Sequence, residues 1–303
     1  MANREKPGKS TEDVKRELAN ARKNRVQRIT FTGGEPTIRK DIVEIVSYAH
    51  ELGFEEIFII TNGRMLFYKE LARKLSDAGL THILFSLHAP EARIHDYLTR
   101  SPGSFEQTVQ GIRNAVGVGN AVGVGNIIVE NNTVITRKNY KSLPKLAELL
   151  IKLGVDFYEF ILVNPITINS YFRGRFEEFV PRISEIHKYV HRALDIGKEK
   201  NIWCTAEGIP FCYMQGYEKN ATELYMAPQR SILGPGGRYV ADVNKSRREC
   251  GKIKAETCSR CRYYLLCEGI WGHYAEHYGM AEFKPVAGRY LRSSDIARGG
   301  RHA

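Results

Sequence analysis

The sequence predicts an α/β fold, a parallel sheet or partial barrel, followed by a small cysteine-rich unit. Three observations carry that expectation. First, a unit of polar helix, glycine stop, short β-branched run and polar loop repeats up to about residue 200, and strands alternating with helices pair in parallel through right-handed crossovers. Second, the tripeptides Gly33-Gly34-Glu35, Thr61-Asn62-Gly63 and Ser86-Leu87-His88 fall where three of those strands end, the edge at which such sheets hold ligands. Third, all six cysteines lie at or after Cys204. In a long chain with no export signal, that clustering indicates a metal site rather than a disulfide framework.

The elements follow in order. Ser10 with Asp13 forms a capping box ahead of the apolar stripe Val14, Leu18 and Ala21. Arg28–Phe31 reads as a strand and runs into Thr32-Gly33-Gly34-Glu35-Pro36. Asp41 opens a helix with Ile42, Ile45, Val46 and Ala49 on one face, and Gly53 closes it. A strand over 56–60 ends in Thr61-Asn62-Gly63, and a helix with Leu71, Leu75 and Ala78 stops at Gly79 before strand His82–Phe85. Ser104, with Gln107 three residues on, is the expected cap of the next helix. Strands are expected over 127–135 and 157–163, separated by the helix Leu143–Leu153 and its terminal Gly154.

Composition sets outer limits. With 43% apolar and 26% charged residues the chain builds a core, which excludes wholesale disorder. No apolar run reaches the roughly 20 residues that a membrane helix needs, and the basic start has no apolar stretch behind it, so a cytoplasmic protein with no membrane partner is expected. The formal charge of +11 admits an anionic partner. The basic residues are dispersed, however, and a solvated surface is the preferred reading over nucleic acid. Residues 115–120 (AVGVGN) recur unchanged as 121–126. The repeat is read as a tolerated loop insertion, because its glycines follow a helix instead of opening one, as phosphate binding would require.

Thr32-Gly33-Gly34-Glu35-Pro36 is the first segment with chemistry. Two glycines after a strand let a ligand approach the backbone and expose carbonyls; Glu35 adds a carboxylate, suiting an ammonium, and Pro36 fixes the turn. The run 31–39, Thr61-Asn62-Gly63, Phe85-Ser86-Leu87-His88, Gly103-Ser104-Phe105, Asn132-Thr133-Val134-Ile135 and Glu159-Phe160 together closely resemble the radical S-adenosylmethionine enzymes. The resemblance covers essentially the whole first part and implies a partial (β/α) TIM-like barrel. It further implies that Gly33, Gly34, Glu35 and Pro36 hold the methionyl ammonium of S-adenosylmethionine and that Ser86 contacts its ribose or carboxylate. Thr133, on the Asn-Thr-Val-Ile strand, and Arg137 would then lie beside the carboxylate or adenine. The family chemistry is reductive cleavage of the sulfonium by a [4Fe–4S] cluster, whose product radical takes hydrogen from substrate.

The family holds that cluster in a CxxxCxxC loop one helix ahead of the Gly-Gly-Glu. None exists here, and only residues 1–9 precede the first helix. The expectation is a chain truncated at its front, without its first strand and unable by itself to cleave S-adenosylmethionine.

The second chemical segment is Cys258-Ser259-Arg260-Cys261 with Cys267 six residues on. Closely spaced thiolates select iron–sulfur or zinc, and a zinc ribbon would show a second CxxC. The triple resembles the auxiliary-cluster (SPASM or twitch) extensions of radical S-adenosylmethionine enzymes. That implies a [4Fe–4S] cluster on Cys258, Cys261, Cys267 and a fourth cysteine, Cys212 first and Cys250 second. Cys204 reads as core, and His273 with His277 as paired surface or packing residues instead of a zinc pair. The expected organisation is a barrel over 1–200, an auxiliary domain over 201–288 and a basic flexible tail over 289–303. The expected function is radical modification of a peptide or small molecule, served by a reductant protein. The alternative is a zinc-stabilised, non-catalytic module that binds nucleic acid.

Overall fold

The computed structural model describes residues 9–120, 127–165, 174–226 and 251–297, with the backbone of 231–233 and 238–240. Six strands form one sheet in sequence order: β1 Arg28–Phe31, β2 Glu56–Thr61, β3 His82–Phe85, β4 Ile128–Ile135, β5 Phe157–Leu162 and β6 Trp203–Glu207. Every neighbouring pair is parallel. Helices α1 Thr11–Lys23, α2 Ile42–Glu51, α3 Lys69–Asp77, α4 Ala92–Thr99, α5 Ser104–Gly119, α6 Leu143–Leu153, α7 Phe176–Phe179 and α8 Ile183–Glu199 lie between and before them. This is the expected partial TIM-like α/β fold.

Period-2 alternation decides what the site can use. Ile57 and Ile59 on β2, Ile83 and Phe85 on β3, Val129 and Ile135 on β4, and Tyr158, Phe160 and Leu162 on β5 are all buried. They share a core with Ile45, Val46, Leu75, Ile112, Leu146 and Leu150 of the helices. The intervening residues, among them Glu130, Asn132, Glu159, Thr205 and Glu207, fall on the opposite, inner face, where Asn132, Glu159 and Thr205 stand in one register row.

Ser10 forms the full capping box with Asp13, and Gly53, Gly79 and Gly154 take positive φ just past their helices. Ser104 is not a cap. Gly103 precedes α5 in a left-handed conformation, and Asp96 of α4 accepts from the Gly103 and Phe105 amides and from Ser104 Oγ. A carboxylate from the previous helix thus does the capping. The first AVGVGN copy is no loop either: it forms the last turns of α5, with Ala115 and Val118 buried. The second copy lies outside the described residues. The sheet also runs past the division expected at about residue 200, since β6 pairs with β5 and Cys204 is buried in it.

Beyond β6, Ala221 bridges to Ala206 in parallel. Lys252–Ile253 and Ile270–Trp271 form an antiparallel two-stranded ribbon that closes the ends of the cysteine loop. Part of the expected flexible tail is folded: Leu291 is buried, its amide donates to the Arg262 carbonyl, and Ser293–Ala297 is helical.

Candidate functional site

At the end of β1, Gly33 has φ +115° and Gly34 follows it; a Cβ built on either meets no atom within 4 Å. The φ of Gly33 requires glycine. Gly34 is required by neither conformation nor packing, so its open side is a cradle that a side chain would fill. Pro36 is the buried first residue of a 3-10 turn. Glu35 is bound into the fold more than the sequence suggests. Its Oε1 accepts from Thr37 N (3.1 Å), Thr37 Oγ1 (2.5 Å) and Thr61 Oγ1 (2.7 Å), and its Oε2 accepts from Asn62 N (2.8 Å). The carboxylate therefore pins the β1 turn to the end of β2. One acceptor position on Oε2 and the glycine carbonyls remain for a ligand ammonium. Thr37, Thr61 and Asn62 were not read as site residues; the Thr-Asn-Gly strand end was their signal.

The third strand end adds Ser86, whose amide donates to the Thr61 carbonyl and whose hydroxyl makes no hydrogen bond among the described residues. His88 and His95 lie behind it, 5.9 Å apart and stacked. The His88 amide donates to His95 Nδ1, and the Val134 amide donates to His88 Nδ1, so both rings are held as neutral tautomers. Burial pushes each down to about 4, the neighbouring ring adding to the shift of His88.

Two further expected cofactor residues lie on β4 and just past it. Thr133 faces the helices and is fully buried; its hydroxyl donates to the Leu87 carbonyl and accepts from Asn131 Nδ2. The chain leaves the sheet after β3, and these two side chains satisfy the Leu87 backbone that no strand pairs. Arg137 reaches Tyr278 OH at 3.2 Å and Glu185 at 3.4 Å, tying the end of β4 to the helix Gly272–Tyr278 and to α8. His277 is exposed, pairs with Glu177 at 3.1 Å and packs on Phe176, a surface residue with a packing contact.

After β6 in the chain, Cys212, Cys258, Cys261 and Cys267 all line one pocket with Pro210, Tyr263, Ile270, Met280 and Phe283. Amides of Gly269 and Val286 donate to the sulfurs of Cys267 (3.4 Å) and Cys261 (3.3 Å). Burial pushes Cys212 up to about 12, and the thiols of Cys267, Cys261 and Cys258 raise it further; burial also raises Cys267. Four soft donors in an apolar pocket, with backbone N–H groups aimed at sulfur, fit an iron–sulfur group. Among the described residues no three His, Cys, Asp or Glu side chains gather closely enough for a single metal ion. Cys250, the second-choice ligand, lies outside the described residues.

These features define a parallel α/β partial barrel with a rim open to a small ligand, followed by a thiol pocket. Residues 2–150 match the Radical SAM superfamily, and the chain belongs to that superfamily, whose members bind S-adenosylmethionine and an iron–sulfur cluster. It is 33% identical over 183 residues to a probable GTP 3',8-cyclase of Saccharolobus solfataricus, covering 60% of this chain and 55% of that protein. It is 35% identical over 145 residues to one from Sulfolobus acidocaldarius, covering 48% and 44%. The chain spans about half the length of the curated relatives it matches. In fold it resembles Streptococcus suis SuiB bound to S-adenosylmethionine, with a TM-score of 0.61 at 18% identity over 95% of this chain and 71% of that one. It also resembles methylornithine synthase (PylB), with a TM-score of 0.50 at 15% identity over 95% and 76%.

Proposed function

We propose that this chain serves a radical S-adenosylmethionine reaction that modifies a peptide or a small molecule, in the cytoplasm and with a separate reductant protein. Both substrate classes occur among its likenesses: a probable GTP 3',8-cyclase and SuiB bound to the precursor peptide SuiA. The β1 rim takes the methionyl ammonium on the Gly33 and Gly34 backbone and Glu35, with Ser86 offering its hydroxyl across the rim. Cys212, Cys258, Cys261 and Cys267 take an auxiliary [4Fe–4S] cluster. When bound, the cofactor and a reduced cluster supply the one-electron chemistry. The chain's own residues orient the ligand ammonium, shield the thiol pocket through Tyr263 and Phe283, and keep the His88 side neutral. The observation that carries this reading is the convergence of four thiols on one apolar pocket in a chain whose glycine rim stands open. A single zinc fits less well, since no three donors reach single-ion geometry among the described residues.

Anaerobic reconstitution tests it. One cluster's worth of iron and acid-labile sulfide should bind, and Cys261→Ala should lose most of both; unchanged iron would sink the ligand assignment. S-adenosylmethionine should bind this chain near millimolar, about −4 kcal/mol, because no CxxxCxxC-held iron chelates it. Reduced protein should release no 5′-deoxyadenosine until a CxxxCxxC segment is supplied. Multiple turnovers without one would overturn that part of the proposal.

A further inference from the structure

The inner face of the sheet carries acceptors that neither the rim nor the thiol pocket uses. Glu159 of β5 is held by two hydroxyls on one oxygen alone. Thr222 Oγ1 donates to Oε1 at 2.6 Å and Thr205 Oγ1 at 3.4 Å, while Oε2 makes no hydrogen bond among the described residues. The charges bearing on it are Glu207 of β6 and Glu223 of the turn Thr222–Leu224, both of its own sign. Glu223 Oε1 accepts from the Gly208 amide at 2.8 Å and lies 3.5 Å from Lys252, which pairs more closely with Glu268 at 2.7 Å; its Oε2 is buried without a partner, in a side chain only 5% exposed. Beside Glu159 in register stands Asn132 of β4, whose Oδ1 is buried and unpartnered. The amide turns about its last torsion to present either end.

A buried amide or carboxylate oxygen with no donor costs free energy, and Asn132 Oδ1 and Glu223 Oε2 are such atoms; Glu159 Oε2 beside Asn132 belongs to a half-buried side chain and stays open to a ligand. Asn132 and Glu159 stand in one row of the inner face. That row lies three residues below the last residue of β4 and of β5, about 10 Å under the rim at 3.3 Å per residue. What would satisfy these groups together is a compact positive charge with several N–H donors. A phosphate group would meet the like charges of Glu159, Glu207 and Glu223.

We propose that Asn132, Glu159 and the turn Thr222–Leu224 seat a primary ammonium or guanidinium group of the substrate, selecting an amine or a basic side chain over an anionic nucleotide. This rests on the radical S-adenosylmethionine reading for its reaction but not for its binding, which needs neither cluster nor cofactor. An ammonium can give one hydrogen to Glu159 Oε2 and one to Asn132 Oδ1, and the Thr222 hydroxyl holds Glu159 in the receiving rotamer. Because burial and the like charges of Glu207 and Glu223 hold Glu159 up at about 7, occupancy should rise with pH through that value.

Isothermal titration of the full chain at pH 8 provides the test, with Nα-acetyl-lysine methylamide, cadaverine and GTP as probes. At least one of the two amines should bind, and GTP should not compete. Tighter binding of the lysine derivative assigns a peptide side chain; equal or tighter binding of cadaverine assigns a free amine. Glu159→Gln should weaken the amine at least tenfold and flatten its pH dependence. Thr222→Val, which keeps the charge and loosens its hold, should weaken it about threefold; matching melting curves control for folding in both. GTP binding that displaces the amine, amine affinity unchanged in both variants, or an absence of amine binding overturns the proposal. So does S-adenosylmethionine competing for the same Glu159-dependent site, since that would make the row part of the cofactor seat. Failure of iron reconstitution with amine binding intact would count against the radical reading and leave this one standing.

Discussion

The rim and the cysteine loop each depend on a glycine, for opposite reasons. At Gly34 an added Cβ meets nothing within 4 Å. At Gly269, beside Cys267, the same atom would sit 2.1 Å from the Ile253 carbonyl oxygen and 2.7 Å from its carbon, with φ at +88°. The first glycine leaves room for something that is not protein; the second lets the ribbon close on the thiol pocket. Gly-Gly-Glu and Cys-x-x-Cys look like equally local motifs. Yet one is a vacancy held open by its neighbours and the other a close contact that organises four thiols.

The largest effect expected from this contrast is on Gly269→Ala. It combines a left-handed backbone with a backbone clash that no side-chain rotation relieves, together about 4 kcal/mol. Urea denaturation should show that loss, and iron uptake by the thiol pocket should fall with it. A loss under 1 kcal/mol would mean that the ribbon shifts freely and that the pocket is not set by it.

Acid should separate the two regions next. His88 and His95 are each held down to about 4 from an ordinary value of 6.5 by burial. A base with a depressed folded value contributes stability above its unfolded pKa, and loses it as pH falls through the folded one. Each group accounts for about 3 kcal/mol at most, at 1.36 kcal/mol per unit. Stability should therefore drop between about pH 6.5 and pH 4, starting at the rim, and hydrogen exchange should show Leu87, His88 and Val134 opening first. In His95→Asn the acid slope should flatten. An identical slope would show that the rings are already solvated in the folded state.

Much of the rim was legible because its residues are contiguous: a strand, two glycines and a carboxylate are read directly. The same reading took Thr133 and its strand as a unit without counting faces. Thr133 alternates with buried Val129 and Ile135, so period 2 assigns it to the helix side, and Arg137 lies past the strand, where tertiary contacts decide its direction. Strand β6 and helix α8 went unread for different reasons. Trp203–Glu207 is short and carries Thr205 and Glu207 on its inner face, whereas α8 does show a stripe of Ile183, Ile186, Val190 and Leu194 that spacing alone could have found. The four thiols were legible as a set, but their convergence depends on Cys212 reaching back from beyond β6. No local pattern states that.

A smaller effect is expected at Glu35. Glu35→Gln keeps an oxygen for Thr37 and Thr61 but sets an NH2 against the Asn62 amide that now donates to Oε2 at 2.8 Å. One unmet buried donor costs about 1–3 kcal/mol. The melting temperature should fall modestly, while S-adenosylmethionine affinity falls with the lost charge. Loss of binding at unchanged stability would show that Glu35 serves the ligand more than the β1–β2 turn.

The smallest effect on stability, and the sharpest test of the comparison, is Gly34→Ala. Nothing within 4 Å opposes the methyl group, and unlike Gly33 this residue does not have a positive φ. Replacing such a glycine usually stabilises by about 0.4–1 kcal/mol, because the unfolded chain has less freedom to lose. Stability should therefore hold or rise slightly. Affinity for S-adenosylmethionine should nevertheless fall at least tenfold, since the methyl group occupies the space through which the ligand ammonium reaches the backbone carbonyls. Gly33→Ala is the matching control: there φ is +115°, so stability itself should fall, by about 1–2 kcal/mol. If Gly34→Ala leaves binding intact, the open side of Gly34 is only solvent and the ligand sits elsewhere on the rim. If it destabilises the chain as much as Gly33→Ala does, the cradle is filled by protein in solution, and the two glycine regions differ less than their geometry indicates.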